Sequence, residues 1–119
     1  LIQPATQIVQ PGQRLTISCQ VSYSVSSYWT SWIRQRDGKG LEWIGDGKSG
    51  ATSDYNNMLK NKFSVTLQDS SNTVTLNGQN LQPEDSAVYY CARDGGYAAF
   101  DYWGKGTTVT VTSATQNAP

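Results

Sequence analysis

The sequence predicts an all-β protein, an antiparallel two-sheet sandwich in which one disulfide joins the sheets. Three observations predict it. Short segments alternate apolar and polar residues between clusters of Gly, Pro, Asn, Asp and Ser. Cys19 and Cys91 bracket most of the 119 residues, with Trp32 placed 13 positions after the first cysteine and Tyr89 two before the second. In a sandwich that spacing lets a disulfide bridge the sheets, an indole pack against it, and a tyrosine hydroxyl tie a corner of the chain to its own backbone upstream. Finally, no segment carries a helical period beyond one turn near Gln82–Asp85.

Taken along the chain, Leu15, Ile17, Cys19 and Val21 alternate with Thr16, Ser18 and Gln20 to make a strand with one buried face. Phe63, Val65 and Leu67 repeat the pattern, as do Val74 with Leu76, then Ala87, Tyr89 and Cys91, and finally Val109 with Val111. Turns are expected at Pro11-Gly12, Asp37-Gly38-Lys39-Gly40 and Ser49-Gly50. Asn77-Gly78 has the wording of a hairpin turn but reads as strand. Alternation then puts Gly78 inward, where a larger apolar residue would be expected, so a local packing deficit is predicted there.

The length fits one domain with a sizeable core. Nine basic and nine acidic residues cancel, so no long-range field favours nucleic acid or an anionic membrane surface. No apolar run is long enough to cross a bilayer, and Leu1 opens directly into a strand-like segment, as after removal of a leader. Two distant cysteines without a C-x-x-C pair or any histidine point to a disulfide in an oxidising compartment rather than to a metal or redox site. Closing a loop of that size is expected to contribute about 4 kcal/mol. There is no Asn-x-Ser/Thr sequon, so no N-glycosylation is expected.

The stretches WIRQRDGKGLEWIG (Trp32–Gly45), EDSAVYYCAR (Glu84–Arg93) and WGKGTTVTV (Trp103–Val111) resemble an immunoglobulin heavy-chain variable domain. The resemblance implies a V-type immunoglobulin sandwich over residues 1–113. It identifies 114–119 as the start of a linker to a first constant domain. Light chains and T-cell-receptor variable domains have Phe where Trp103 opens the WGKG motif; that residue and Leu41-Glu42-Trp43 separate heavy from light. The one-residue-short Cys19–Trp32 interval, Gly78 in a strand, LNGQNLQPEDSAVYYC and the WGKGTTVTVTSAT junction resemble bony-fish heavy chains of the mu class (IgM). The family pattern further implies a Lys62–Asp85 ion pair closing the bottom of the sandwich, and an exposed Arg93–Asp101 pair kinking the base of the third loop.

On the strand carrying Trp32 and its neighbours, Ile33, Leu41, Trp43, Tyr90 and Trp103 alternate away from the core. Polar residues belong on a solvent-facing sheet, so this patch predicts an interface. The resemblance names the partner as a light-chain variable domain, with Gln35 facing an equivalent glutamine and Phe100 pointing into the same interface. Gly40, Leu41 and Trp43 argue against a self-sufficient single-domain antibody. Without its light chain, the domain is expected to pair with itself through this face.

Antigen-contacting loops are expected at Tyr23–Ser31, Asp46–Tyr55 and Asp94–Tyr102, at the end opposite Lys62 and Asp85. The contact set comprises Ser26, Ser27, Tyr28 and Trp29; Asp46, Lys48, Ser49, Thr52, Asp54 and Tyr55; and Asp94, Gly95, Gly96, Tyr97, Ala98 and Ala99. Aromatics give contact area at low entropic cost, and small polar residues adapt their hydrogen bonds. Trp29, Tyr28, Tyr55 and Tyr97 are the expected anchors. Asp46, Lys48, Asp54 and Asp94 would set charge preference, while Thr30 and Ser31 support the first loop from below.

An enzyme is poorly supported. The absence of histidine excludes a Ser-His-Asp triad and histidine-bound zinc. Asp94 and Asp101 flank an exposed loop where little would raise a pKa. Gly38-Lys39-Gly40 and Gly104-Lys105-Gly106 lack phosphate-loop spacing and read as a turn and a strand bulge. No cofactor or metal is expected. The alternative of a different class is a V-type domain of a cell-surface receptor or adhesion protein, which shares fold and disulfide.

Overall fold

The computed structural model describes residues 1–95 and 99–113. Alternating segments become nine strands among the described residues: β1 (Thr6–Val9), β2 (Leu15–Gln20), β3 (Thr30–Arg36), β4 (Leu41–Gly47), β5 (Phe63–Gln68), β6 (Thr73–Gly78), β7 (Ala87–Asp94), β8 (Phe100–Trp103) and β9 (Thr107–Val111). One sheet runs β1-β9-β7-β3-β4, with β8 also pairing β7, and the other runs β2-β6-β5. β1 joins β9 in parallel; the remaining ladders are antiparallel. Among the described residues helix is limited to two single 3-10 turns, Asp69–Ser71 and Pro83–Asp85. All three expected turns form, with Gly12, Gly38 and Gly50 in the left-handed region. Residues 104–106 break the line between β8 and β9, as the bulge reading required.

The core lies between the sheets and follows the two-residue period. Leu15, Ile17, Cys19, Val21, Phe63, Val65, Val74, Leu76, Ala87, Tyr89, Cys91, Val109 and Val111 are all buried. Cys19 on β2 and Cys91 on β7 form the disulfide, with Cα atoms 6.5 Å apart. Trp32 is fully buried and stands in register with Cys91.

Gly78 does lie on β6 and inward, yet the packing deficit is not there. A Cβ at this position would sit 2.9 Å from Phe63 Cε1 and 3.0 Å from Leu81 Cδ2. The Phe63 ring, opposite Gly78 in the β5–β6 register, fills the space that a side chain would take. The small residue on one strand is matched by the large one on its neighbour.

The bottom of the sandwich is closed by a charge network larger than the expected pair. Lys62 Nζ donates to Asp85 Oδ2 at 2.6 Å, as anticipated. Arg34 Nη1 donates to Asp85 Oδ1 at 3.0 Å, and its Nε donates to Glu42 Oε1 at 2.7 Å. The Arg34 and Asp85 side chains are only 4% and 5% exposed. Tyr89 makes the predicted corner, its hydroxyl donating to the Asp85 carbonyl at 2.6 Å while accepting from Arg34 Nη1 at 3.2 Å. Burial would push the Asp85 carboxyl up, but the hydrogen bonds from Lys62, the Gln82 N–H and Arg34 outweigh it and hold it below the usual carboxylate range. Burial dominates for Tyr89, whose phenol is pushed up to about 12 against the opposing pull of Arg34.

The N-terminal segment is sewn in by Gln3, whose Nε2 donates to the Tyr89 carbonyl and to Thr107 Oγ1, while Oε1 accepts from Gly106 N. Gly104 leaves room for the Gln3 amide, since a Cβ there would fall 2.1 Å from Gln3 Oε1 and push it aside.

Two outcomes are expected. Because the carboxyl of Asp85 is lowered in the folded state, its contribution is complete above the unfolded value of about 4 and is lost as pH falls through the folded value. Asp85→Asn leaves buried Arg34 with Glu42 as its acidic partner and should cost about 1.5–3 kcal/mol at neutral pH; its urea midpoint should also fall less steeply than the parent's between pH 4 and pH 2. Gly78→Ala should lower the urea midpoint by an amount equivalent to about 1–3 kcal/mol through overpacking, whereas a raised midpoint would reinstate the packing deficit.

Candidate functional site: a loop rim and an apolar sheet face

β7 runs from Ala87, beside the Asp85 network, to Asp94, so the loops after β2, β4 and β7 gather at the far end. Backbone bonds tie them together. Ser49 N donates to the Val25 carbonyl at 2.9 Å, linking second loop to first, and Asp94 N donates to the Trp29 carbonyl at 3.0 Å, linking third to first. The turn between β5 and β6 supports the group from the side: Asn72 Oδ1 accepts from Val25 N, and Asp69 Oδ2 accepts from Ser49 Oγ at 2.7 Å. Neither Asp69 nor Asn72 carries a signal in the sequence, because each acts on a distant loop.

In the first loop Ser26, Ser27 and Tyr28 are exposed and Trp29 is half-buried. Ser26 and Ser24 share a hydrogen bond between hydroxyls. Thr30 and Ser31 belong to β3 and are buried. Thr30 Oγ1 pairs with the Tyr23 hydroxyl, and Ser31 Oγ accepts from Trp43 Nε1 at 3.2 Å.

In the second, Asp46 lies within β4 rather than in the loop. Its Oδ1 accepts from Asp54 N at 3.0 Å. Burial pushes its carboxyl up, the Asp54 N–H opposes this, and the nearby Asp54 and Asp94 carboxylates add to the rise. Lys48 and Ser49 are half-buried, and Thr52 and Asp54 are exposed.

Tyr55, expected as a contact anchor, is half-buried and also acts as a brace. Its ring packs against the core, it bridges to Gly45 on β4, and its hydroxyl accepts from Val65 N at 2.9 Å. It thereby closes the side of the sandwich where the β4 and β5 edges meet. A loop aromatic turns inward when an unpaired edge N–H lies within reach of its hydroxyl.

At the third loop Asp94 and Gly95 are half-buried and Ala99 is exposed. Gly96, Tyr97 and Ala98 lie outside the described residues. Arg93 differs from the plain exposed pair expected of it. Its Nε and Nη2 donate to both carboxylate oxygens of Asp101. Its guanidinium also lies 4.3 Å from the Tyr28 ring centre and 4.5 Å from that of Tyr102. The hydrogen bond from Arg93 holds Asp101 below the usual carboxylate range, so Asp101 stays ionised at neutral pH and has no proton to offer a substrate.

On the outer face of β3, β4, β7 and β8, Leu41 and Trp103 are 60% and 41% exposed. Gln35 is exposed; Trp43, Tyr90 and Phe100 are half-buried. Trp103 stacks edge-on with Tyr90 at 5.9 Å and with Phe100 at 5.6 Å, which places Phe100 on this face. Ile33 is the exception. It lies on the outer side, in register with Tyr90 and Trp43, yet only 3% of it is exposed. Large residues on both neighbouring strands roof it over, so it supports the surface from beneath instead of forming it. Gln35 Nε2 donates to the Lys39 carbonyl at 3.1 Å, turning its amide toward its own hairpin.

The immunoglobulin V-set family model matches residues 2–112. The chain belongs to the immunoglobulin V-set family. V-set domains are generally non-enzymatic binding domains, typically extracellular, that pair with other immunoglobulin domains or bind ligands. Among the described residues no helix is long and apolar enough to cross a membrane. Within this V-set domain, the rim and the apolar sheet face are candidate contact surfaces.

Removing the brace should show on the rim's supporting edge. Tyr55→Phe is expected to cost about 1 kcal/mol, read as a lower thermal midpoint, with faster hydrogen exchange at the Val65 amide than in the parent.

Proposed function

We propose that this V-set domain is the variable domain of an antibody heavy chain, binding antigen through its three-loop rim and a light-chain variable domain through its apolar sheet face. Trp103 carries the proposal. It opens the WGKG motif that resembles heavy rather than light chains, and it sits part-exposed on β8 against Tyr90 and Phe100, on the outer face. Exposed Leu41 and half-buried Trp43 extend the same patch, and a contiguous apolar area on one side of a domain marks a partner surface. On the rim, the contact candidates are Ser26, Ser27, Tyr28, Trp29, Thr52, Asp54, Asp94 and Ala99, with Asp46 and Lys48 shaping charge. Residues 114–119 continue, in this proposal, into a constant domain. The whole is a secreted or cell-surface antibody chain, of the mu class on the wording of its framework.

Mixed with a light-chain variable domain, the chain should form a one-to-one complex in sedimentation velocity. Leu41→Arg or Trp103→Ser should weaken that complex at least about tenfold, equivalent to about 1.4 kcal/mol, with Leu41→Arg leaving the thermal midpoint of the isolated chain nearly unchanged. Sister transcripts from one animal should vary at 94–102 over a constant framework. Uniform loops together with no light-chain pairing would instead favour a receptor domain.

A further inference from the structure

Arg93 holds more of the rim than its pairing with Asp101 requires. Its guanidinium is clamped at the edge by both Asp101 oxygens. Its Cζ lies over the rings of Tyr28 at 4.3 Å and Tyr102 at 4.5 Å, with Tyr23 further off at 5.5 Å. Tyr23 and Tyr28 in turn meet edge-on at 5.5 Å, and the Tyr23 hydroxyl is anchored on buried Thr30. Two of these rings come from the first loop, the cation from the end of β7, and the carboxylate and third ring from β8. Only 17% of the Arg93 side chain is exposed, so it is poorly placed to touch a ligand itself.

We infer that Arg93 is a positioning residue that locks the first loop to the base of the third, so that Tyr28 and the third-loop base present one preformed contact surface. The inference deepens the rim reading proposed above. Two chemical properties make arginine the residue for this task. A planar guanidinium accepts aromatic faces on both sides while its edge donates two parallel hydrogen bonds to one carboxylate. An ammonium in the same place is a point charge that meets one partner well and loses the stack. The Asp94 N–H to Trp29 carbonyl bond at 3.0 Å runs beside the clamp and joins the same two loops. Fixing the Tyr28 ring before contact removes rotamer freedom that binding would otherwise have to take away. The third-loop sequence therefore acts on ligand choice through the first loop.

The experiment is amide hydrogen exchange of the 119-residue chain by NMR, comparing the parent with Arg93→Lys, Tyr28→Leu and the double variant. Each single change should speed exchange at the Asp94 amide by about tenfold, with no change at the core amides of Leu76 and Cys91. The double variant should exchange no faster than the faster single one, because both changes break one clamp. Asp94 exchange within twofold of the parent in both single variants would overturn the inference. So would effects that multiply independently, or core amides that speed up in step with Asp94 in both single variants. Tyr28 is exposed, so its variant tests the clamp even where Arg93→Lys lowers overall stability. The readout needs no ligand or light chain, so a failure of pairing would count against the proposed function and leave this inference standing.

Discussion

The covalent link between Cys19 and Cys91 sets the orientation of nearly every other residue with a role. It joins the C-terminal end of β2 to the middle of β7 across the sandwich. Once Cys91 points inward, the two-residue period sends Tyr89 and Ala87 inward with it, and Tyr90 and Val88 outward. Trp32 lies in register with Cys91 and Val74 with Cys19, so the adjoining strands inherit the same assignment. Tyr89 then reaches the Asp85 carbonyl at one end, while Arg93 emerges at the other, at the edge of the rim. A single bond thus phases the core, the bottom network and the loop bases together.

The two sheets are prepared for different surroundings. Outside the three-stranded sheet, Thr16, Ser18, Gln20, Ser64 and Thr66 face solvent, as a half-buried antiparallel sheet requires. The six-stranded sheet is apolar on both sides over β3, β4, β7 and β8: Trp32, Tyr89 and Cys91 lie within, and Leu41, Trp43, Tyr90 and Trp103 without. Covering Ile33 with its neighbours lowers the cost of that outer face in water but leaves Leu41 and Trp103 in contact with it. The asymmetry leaves the molecule one sheet face with exposed apolar residues and, at the end of the sandwich, a rim whose loops are tied to one another through backbone bonds.

How much of this was legible depends on how local each signal is. The disulfide, the tyrosine corner, the three turns and the inward sets of β2, β5, β6, β7 and β9 could all be read from spacing. Arg34 could have been found too, since it shares the inward parity of Trp32 and a buried guanidinium demands acidic partners. Gln3 and Asn72 offered no such clue. Each is an ordinary polar residue whose amide matters only because a distant strand or loop leaves backbone groups beside it.

The sequence by itself determined which face each strand residue takes, which cysteines meet and where the chain turns, because those properties follow from the two-residue period and from turn chemistry over a few positions. Tertiary structure alone decided that Tyr55 braces an edge, that the Phe63 ring fills the space at Gly78, that Ile33 is roofed over, and that Arg93 sits among three tyrosines. In each case the outcome depends on the size and shape of whatever lies across the sheet or the rim, and the identity of that neighbour is set by how the chain folds back on itself.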